Sequence, residues 1–150
     1  MTEAKTLTRL SVDECNCNAL RKAARRVSQF YDNKLRPTGL RISQFTILVI
    51  IWERASVSVN ELAAYIELDR TTTGKNLRPL ERAGLVLIAP DPADRRAKIV
   101  RLTPLGEQTL KRAAPLWREA QREFALRNGD IESAQMRATV LDLNVGGIEL

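Results

Sequence analysis

Apolar residues recur at helical spacing along most of the chain, and polar punctuation cuts them into segments. Leu20, Ala23, Ala24, Val27, Phe30, Tyr31 and Leu35 fall three or four residues apart, the stripe of an amphipathic helix. Ser11-Val-Asp-Glu14 precedes them in a capping-box pattern, and Pro37 and Gly39 close the segment. Ser43 can cap a second helix. Phe45, Leu48, Val49 and Trp52 line one side of it, and Ile47, Ile50 and Ile51 make it apolar nearly all round, which predicts burial on most sides. Ser58-Val-Asn-Glu61 repeats the capping box ahead of a short helix with Leu62, Ala63, Tyr65 and Ile66. Asp69 is the N-cap candidate for a fourth helix that runs to about Ala83, with Gly84 beyond its end.

The texture then changes. Residues 85–89 and 98–102 read as strands around a polar turn at 91–96, a hairpin with a longish tip. Thr103-Pro104 opens a long helix reaching Asn128-Gly129, in which Pro115 predicts a kink. Asp130 can cap a last helix carrying Ile131, Met136, Val140 and Leu143, and the tail 144–150 is expected to be loose. This order predicts a mainly α fold with a small β-hairpin wing, in one domain over 1–150. A winged helix-turn-helix lobe spans 43–103. The helices at 11–36 and 104–143 lie outside it and need apolar surface to bury against. A second copy of the chain supplies that surface, so these are read as dimerisation helices of a homodimer.

Charge narrows the function. The chain has 24 Lys and Arg against 18 Asp and Glu, a net +6, and no histidine. Most zinc sites, Ser-His-Asp triads and Cys-His dyads are therefore removed. With no Gly-rich phosphate loop and no clustered carboxylates, the chain reads as neither an enzyme nor a metal or cofactor binder. The longest apolar run, 47–52, is far short of the roughly 20 residues of a membrane span. The first seven residues lack the apolar core of a signal peptide, so a cytoplasmic protein is expected. Arg70, Lys75, Arg78, Arg82, Arg95, Arg96, Lys98 and Arg101 face only Asp69, Glu81, Asp91 and Asp94 within about a fifth of the chain. That concentration of cations points to a polyanion.

A helical wheel sorts the fourth helix. With Leu77 on the core side, Thr73, Leu80 and Gly84 lie within about 60° of it. Thr71, Thr72, Lys75, Arg78, Pro79 and Arg82 collect opposite, with Asn76 on the boundary. Short hydroxyls near the start and long cations further along suit entry into the major groove of double-stranded DNA. The candidate contacts there are Arg70, Thr71, Thr72, Lys75, Asn76 and Arg78. Pro79 predicts a bend, or alternatively a helix ending near Arg78. At the hairpin tip, Arg95 and Arg96 fit a narrow, negative minor groove, with Asp94 placed to hold the Arg96 guanidinium in a fork.

These residues resemble the MarR family of transcription regulators over about residues 15–127. The matching stretches are Ser58-Val-Asn-Glu-Leu-Ala-Ala-Tyr-Ile-Glu-Leu-Asp-Arg-Thr-Thr-Thr73, Leu77-Arg-Pro-Leu-Glu-Arg-Ala-Gly-Leu-Val86, Asp91-Pro-Ala-Asp-Arg-Arg96 and Val100-Arg-Leu-Thr-Pro-Leu-Gly106. The resemblance implies a homodimer with intertwined terminal helices that binds a pseudo-palindromic operator, usually as a repressor. It assigns the major groove to residues 70–78 and the minor groove to Arg96, with Asp94 as orienting partner and Arg95 at a variable position. It also implies release by a small aromatic or acyl ligand, or by oxidation of cysteine. Phe30, Tyr31, Phe45 and Trp52 are the candidate lining of such a cavity.

Cys15 and Cys17 are the only cysteines. Two residues apart on a helix they would point about 200° from each other, which excludes a relaxed disulfide between them. They remain candidates for redox sensing, including an intersubunit bridge. A winged helix used only for protein contacts is the alternative function.

Overall fold

The computed structural model describes residues 10–146. The chain forms α1 (Asn16–Leu35), α2 (Ile42–Arg54), β1 (Val57–Ser58), α3 (Val59–Tyr65), α4 (Arg70–Arg82), β2 (Val86–Pro90), β3 (Lys98–Leu102), α5 (Pro104–Asn128) and α6 (Asp130–Leu141), with 3-10 turns at Val12–Glu14 and Arg36–Thr38. It is a mainly helical winged-helix fold with one small antiparallel sheet. The first seven residues and the tail beyond Gly146, on which the leader and loose-tail expectations rest, lie outside the described residues.

The sheet has three strands, in the order β1-β3-β2, where a two-stranded hairpin was expected. Val57 pairs with Val100, and Val86 with Leu102. Two residues are too few to show an alternating pattern, so β1 leaves no trace in the periodicity. Its effect is large all the same. Val57 is buried against the fully buried Val100, and the helix-turn-helix is thereby tied to the wing.

Leu35, Leu48, Ile51, Leu62, Leu77, Leu80 and Val100 form the innermost layer of one core, to which α5 adds Leu110 and Ala113. As the all-round apolar pattern required, α2 buries Phe45, Ile47, Leu48, Ile50 and Ile51. Trp52 is the departure, left 60% exposed at its end.

The helix ends divide into local caps and long-range ones. Ser58 and Glu61 form the expected capping box: Ser58 Oγ accepts from Glu61 N at 3.1 Å, and Glu61 Oε2 from Ser58 N at 2.8 Å. Thr103 caps α5, accepting from Gly106 N at 3.0 Å while its hydroxyl donates to the Gly84 carbonyl at 2.5 Å. That clasp draws α5 so close to the wing that a Cβ on Gly106 would overlap the Leu85 carbonyl oxygen. Gly84 itself sits at φ +71°, the left-handed position after α4.

Three expected caps are replaced. Ser11 precedes only the 3-10 turn and makes no side-chain cap; Cys15 caps α1 instead, its Sγ accepting from Asn18 N at 3.4 Å. Ser43 lies inside α2. The start of α2 is held by Gln44, which accepts from Arg41 N at 3.0 Å, and by Asp32 of α1, which accepts from Ile42 N at 2.7 Å. A carboxylate ten residues upstream does the work the local hydroxyl was expected to do. Asp130 is the first residue of α6 rather than its cap; Gly129, at φ +85°, occupies the cap position.

The terminal helices pack loosely by comparison. Two tilted aromatic contacts join α1 to α5 through Phe30, Tyr31 and Phe124, and Lys34 pairs with Glu119 at 3.1 Å and Glu123 at 2.5 Å. These bonds raise the Lys34 pKa, chiefly through Glu123, and lower that of Glu123, chiefly through Lys34. On α6 only Ser133 is buried; Ile131, Met136 and Val140 are exposed, and Leu143 lies past the end of the helix.

Candidate nucleic-acid interface

Asp69 organises the start of α4. Its Oδ1 accepts from Thr72 N at 2.8 Å and its Oδ2 from the Thr72 hydroxyl at 2.5 Å. These bonds, the hydroxyl's first, hold its carboxyl below the usual range. Thr73, Leu77 and Leu80 are buried as the wheel required. On the other side Arg70, Thr71, Lys75, Asn76, Arg78 and Arg82 are exposed, while Thr72 and Pro79 are half-buried. The helix continues through Pro79 to Arg82, so the early end at Arg78 does not occur. It is sustained beyond the missing N–H by the Ala83 N–H donating to the Pro79 carbonyl at 3.0 Å.

The wing tip is a folded loop. Asp91 N donates to the Ala97 carbonyl at 2.9 Å, and Ala97 N to the Asp94 carbonyl at 2.9 Å. Asp94 does not fork the Arg96 guanidinium. Its Oδ1 accepts the Arg96 backbone N–H at 3.0 Å, because in a tight turn that N–H is the nearest donor to a carboxylate two residues back. Asp94 therefore fixes the loop and leaves the Arg96 side chain without an ion pair among the described residues. Among the described residues the ion pairs lie elsewhere, on Lys34, Arg127 and their glutamates.

Two adjoining clefts separate α4 from the wing. The smaller, about 210 Å³, is lined by Ser58, Asn60, Arg70, Asp94, Arg96 and Lys98. The larger, about 520 Å³, takes in Arg70, Gly74, Arg78 and Lys98. Thus Arg70, at the start of α4, and Arg96, at the wing tip, line the same cleft from its two sides. Lys98 and Asn60 were not among the expected contacts. Lys98 stands at the first position of β3, where its cationic character was legible but its turn toward α4 was not.

The four aromatic residues expected in one cavity separate. Phe30 and Tyr31 stack edge to face at 5.3 Å and pack with Phe124; the Tyr31 hydroxyl donates to Gln121, and burial pushes that phenol up. Phe45 and Trp52 line a different cleft, about 510 Å³, between α2 and α5, with Trp117, Lys111 and Arg118. Phe45 stacks on Trp117 at 5.8 Å. The residues on α5 were missed because nothing in the helical pattern says which residue of α2 each one meets.

Cys15 and Cys17 are both unbridged and exposed. Cys15 has an extended backbone, φ −81° and ψ 111°, so the two do not share a helix and the helical angle between them does not apply. No helix among the described residues is long and apolar enough to cross a membrane.

The MarR family model matches residues 40–98, the stretch from α2 to the start of β3. The DNA-bound Mycobacterium tuberculosis transcriptional regulator MosR is 39% identical, with 87% of this chain and all of that chain covered and a TM-score of 0.72. Rhodococcus jostii CouR bound to p-coumaroyl-CoA is 27% identical, covering 93% of this chain and 99% of that one, at a TM-score of 0.73. The HTH-type transcriptional regulator TtmR of Methylorubrum extorquens is 32% identical over 96 residues, 64% of this chain but about half the length of TtmR (49%). Family match, near-complete alignment to MosR and the shared winged-helix geometry agree, and the chain belongs to the MarR family of transcriptional regulators.

Proposed function

We propose that the protein is a cytoplasmic, dimeric, sequence-specific DNA-binding repressor that acts by binding and not by catalysis. The observation that carries this reading is the cleft between α4 and the wing, lined by Arg70 on one side and by Arg96 and Lys98, with Asp94, on the other. Exposed cations on two elements that flank a groove suit a duplex, whose backbone carries one charge per roughly 1.7 Å. Helices 11–36 and 104–143 make the dimer, and 43–103 is the DNA-binding lobe. Arg70 to Arg78 enter the major groove and Arg96 the minor groove. The exposed apolar residues of α5 and α6 are those a partner copy covers.

The effector is a flat aromatic acid or its acyl thioester, seated beside Trp52 and the Phe45–Trp117 stack, with its anionic end at Lys111 and Arg118 and clear of Glu53 and Glu107. The ligand in the CouR structure supports that class. Oxidation of the exposed Cys15 or Cys17 is the second route of release. An electrophoretic shift of the DNA upstream of the protein's own gene tests the reading. A discrete shifted band that resists excess unrelated duplex is expected; titration with p-coumaroyl-CoA or an oxidant then reads release. Equal competition by any duplex would remove the sequence-specific reading.

A further inference from the structure

This inference rests on the DNA-binding reading and concerns which atoms of α4 can read a base. Thr72 lies half-buried on the outward side of α4, about 140° round the helix from Leu77 and about 60° from the exposed Lys75. Its hydroxyl has a fixed partner. Asp69 Oδ2 lies 2.5 Å from Thr72 Oγ1, while Oδ1 of the same carboxylate takes the Thr72 N–H at 2.8 Å. An ionised carboxylate only accepts, and a hydroxyl has one proton. The bonds from Thr72 keep that carboxyl ionised. The Thr72 proton is therefore committed to Asp69, and the oxygen keeps only lone pairs for an outside partner. The adjacent negative charge disfavours a phosphate oxygen at the same place. The next hydroxyl, Thr73, is turned inward and donates to the Asp69 carbonyl at 2.9 Å.

We propose that Thr72 is a specificity-determining residue that accepts a hydrogen bond from the exocyclic amino group of adenine or cytosine in the major groove, and that Asp69 sets this polarity without touching DNA. Adenine N6 and cytosine N4 donate on that edge, whereas guanine O6 and N7 and thymine O4 accept. A guanine or thymine at the contacted position would meet an oxygen with no proton to offer.

The test uses the full chain. Duplexes enriched by the wild type from a randomised pool are remade with every single base-pair change, then titrated with wild type, Thr72→Val, Thr72→Ser and Asp69→Asn. Valine keeps the shape and the methyl but has no acceptor. Thr72→Val is expected to lose discrimination at one base pair by about three- to tenfold, the scale of one net hydrogen bond, with other positions unchanged. Thr72→Ser is expected to keep that discrimination. In Asp69→Asn the amide can donate to the Thr72 oxygen and release the hydroxyl proton, so guanine or thymine becomes acceptable there. The proposal is overturned if Thr72→Val keeps every wild-type preference, or if Thr72→Ser loses as much as Thr72→Val, which marks a methyl contact. It is also overturned if Thr72→Val weakens all sequences alike with a shallower salt dependence, which marks a phosphate contact. Should Thr72→Val fail to fold by circular dichroism, Asp69→Asn decides: unchanged base preference overturns the proposal. A wild type that enriches no sequence removes the DNA-binding reading itself.

Discussion

The lobe between α2 and β3 and the helices at the two ends are built on opposite principles. In the lobe, Leu48, Ile51, Leu62, Leu77, Leu80 and Val100 are all sealed from solvent, and the exposed large apolar residues, Trp52, Tyr65 and Leu87, stand on separate elements. At the end of α5 and along α6 apolar residues face out instead: Leu126 is 87% exposed, Ile131 70% and Leu141 86%. Single exposed leucines are ordinary, but a run of them along α5 and α6 is the kind of surface that marks an interface. The lobe core is closed by Leu35 of α1 and by Leu110 and Ala113 of α5. The far ends of the terminal helices keep apolar surface that the proposed dimer covers.

The comparison breaks most sharply at the ends. Leu126→Glu with Ile131→Glu is expected to yield monomers by light scattering and to weaken operator binding by on the order of 10²- to 10⁴-fold, because two linked half-site contacts become separate ones. A dimer that persists in this variant would place the interface elsewhere. Inside the lobe, Leu77→Ala removes a fully buried side chain from beneath the recognition helix. It should destabilise the fold by about 2–5 kcal/mol in denaturant titration. A loss near zero would mean the lobe core is not what holds α4.

The lobe was far more legible than the ends, and the reason is range. The Ser58–Glu61 box and the Asp69 cap each join groups three residues apart, so the residues that bond are neighbours in the sequence as well. The wheel of α4 worked because a core on one side and solvent on the other fix a helix's rotation. The Asp32 cap on α2 and the meeting of Phe45 with Trp117 join distant elements, and no local pattern carries them. The exposed, cation-bearing side of α4 was legible as a face, while the cleft lined by both Arg70 and Arg96 depends on β1 pairing with β3, a bridge two residues long. Asp94 was misread for a subtler reason. Its proximity to Arg96 was right, but the backbone donor is nearer than the guanidinium.

Smaller effects sharpen the contrast. The depressed pKa of Asp69 means that its cap stabilises the lobe above the ordinary carboxyl value of 3.8 and that this contribution fades as pH falls through the lower folded-state value. The stability gap between wild type and Asp69→Ala should therefore be constant near neutrality and close in acid; a gap that widened below pH 4 would contradict the cap. Glu67, in the turn between α3 and α4, has φ +53°, a left-handed conformation that favours glycine. Glu67→Gly should raise lobe stability by roughly 0.5–1 kcal/mol through relief of that strain, read as a higher melting temperature; a lower one would show that the side chain matters more than the backbone.

In the proposed complex the recognition helix α4 and the wing grip one duplex through their exposed cations. This grip is tested most directly by the affinity of wild type and Arg96→Ala for one selected duplex across a salt series. Wild-type affinity is expected to weaken steeply with salt, log affinity falling by about 0.9 in log salt per phosphate neutralised. A loss of at least about tenfold is expected in the variant at every salt concentration, with its melting temperature unchanged. Wild-type binding indifferent to salt, or an Arg96→Ala variant as tight as the parent, would contradict the two-element grip.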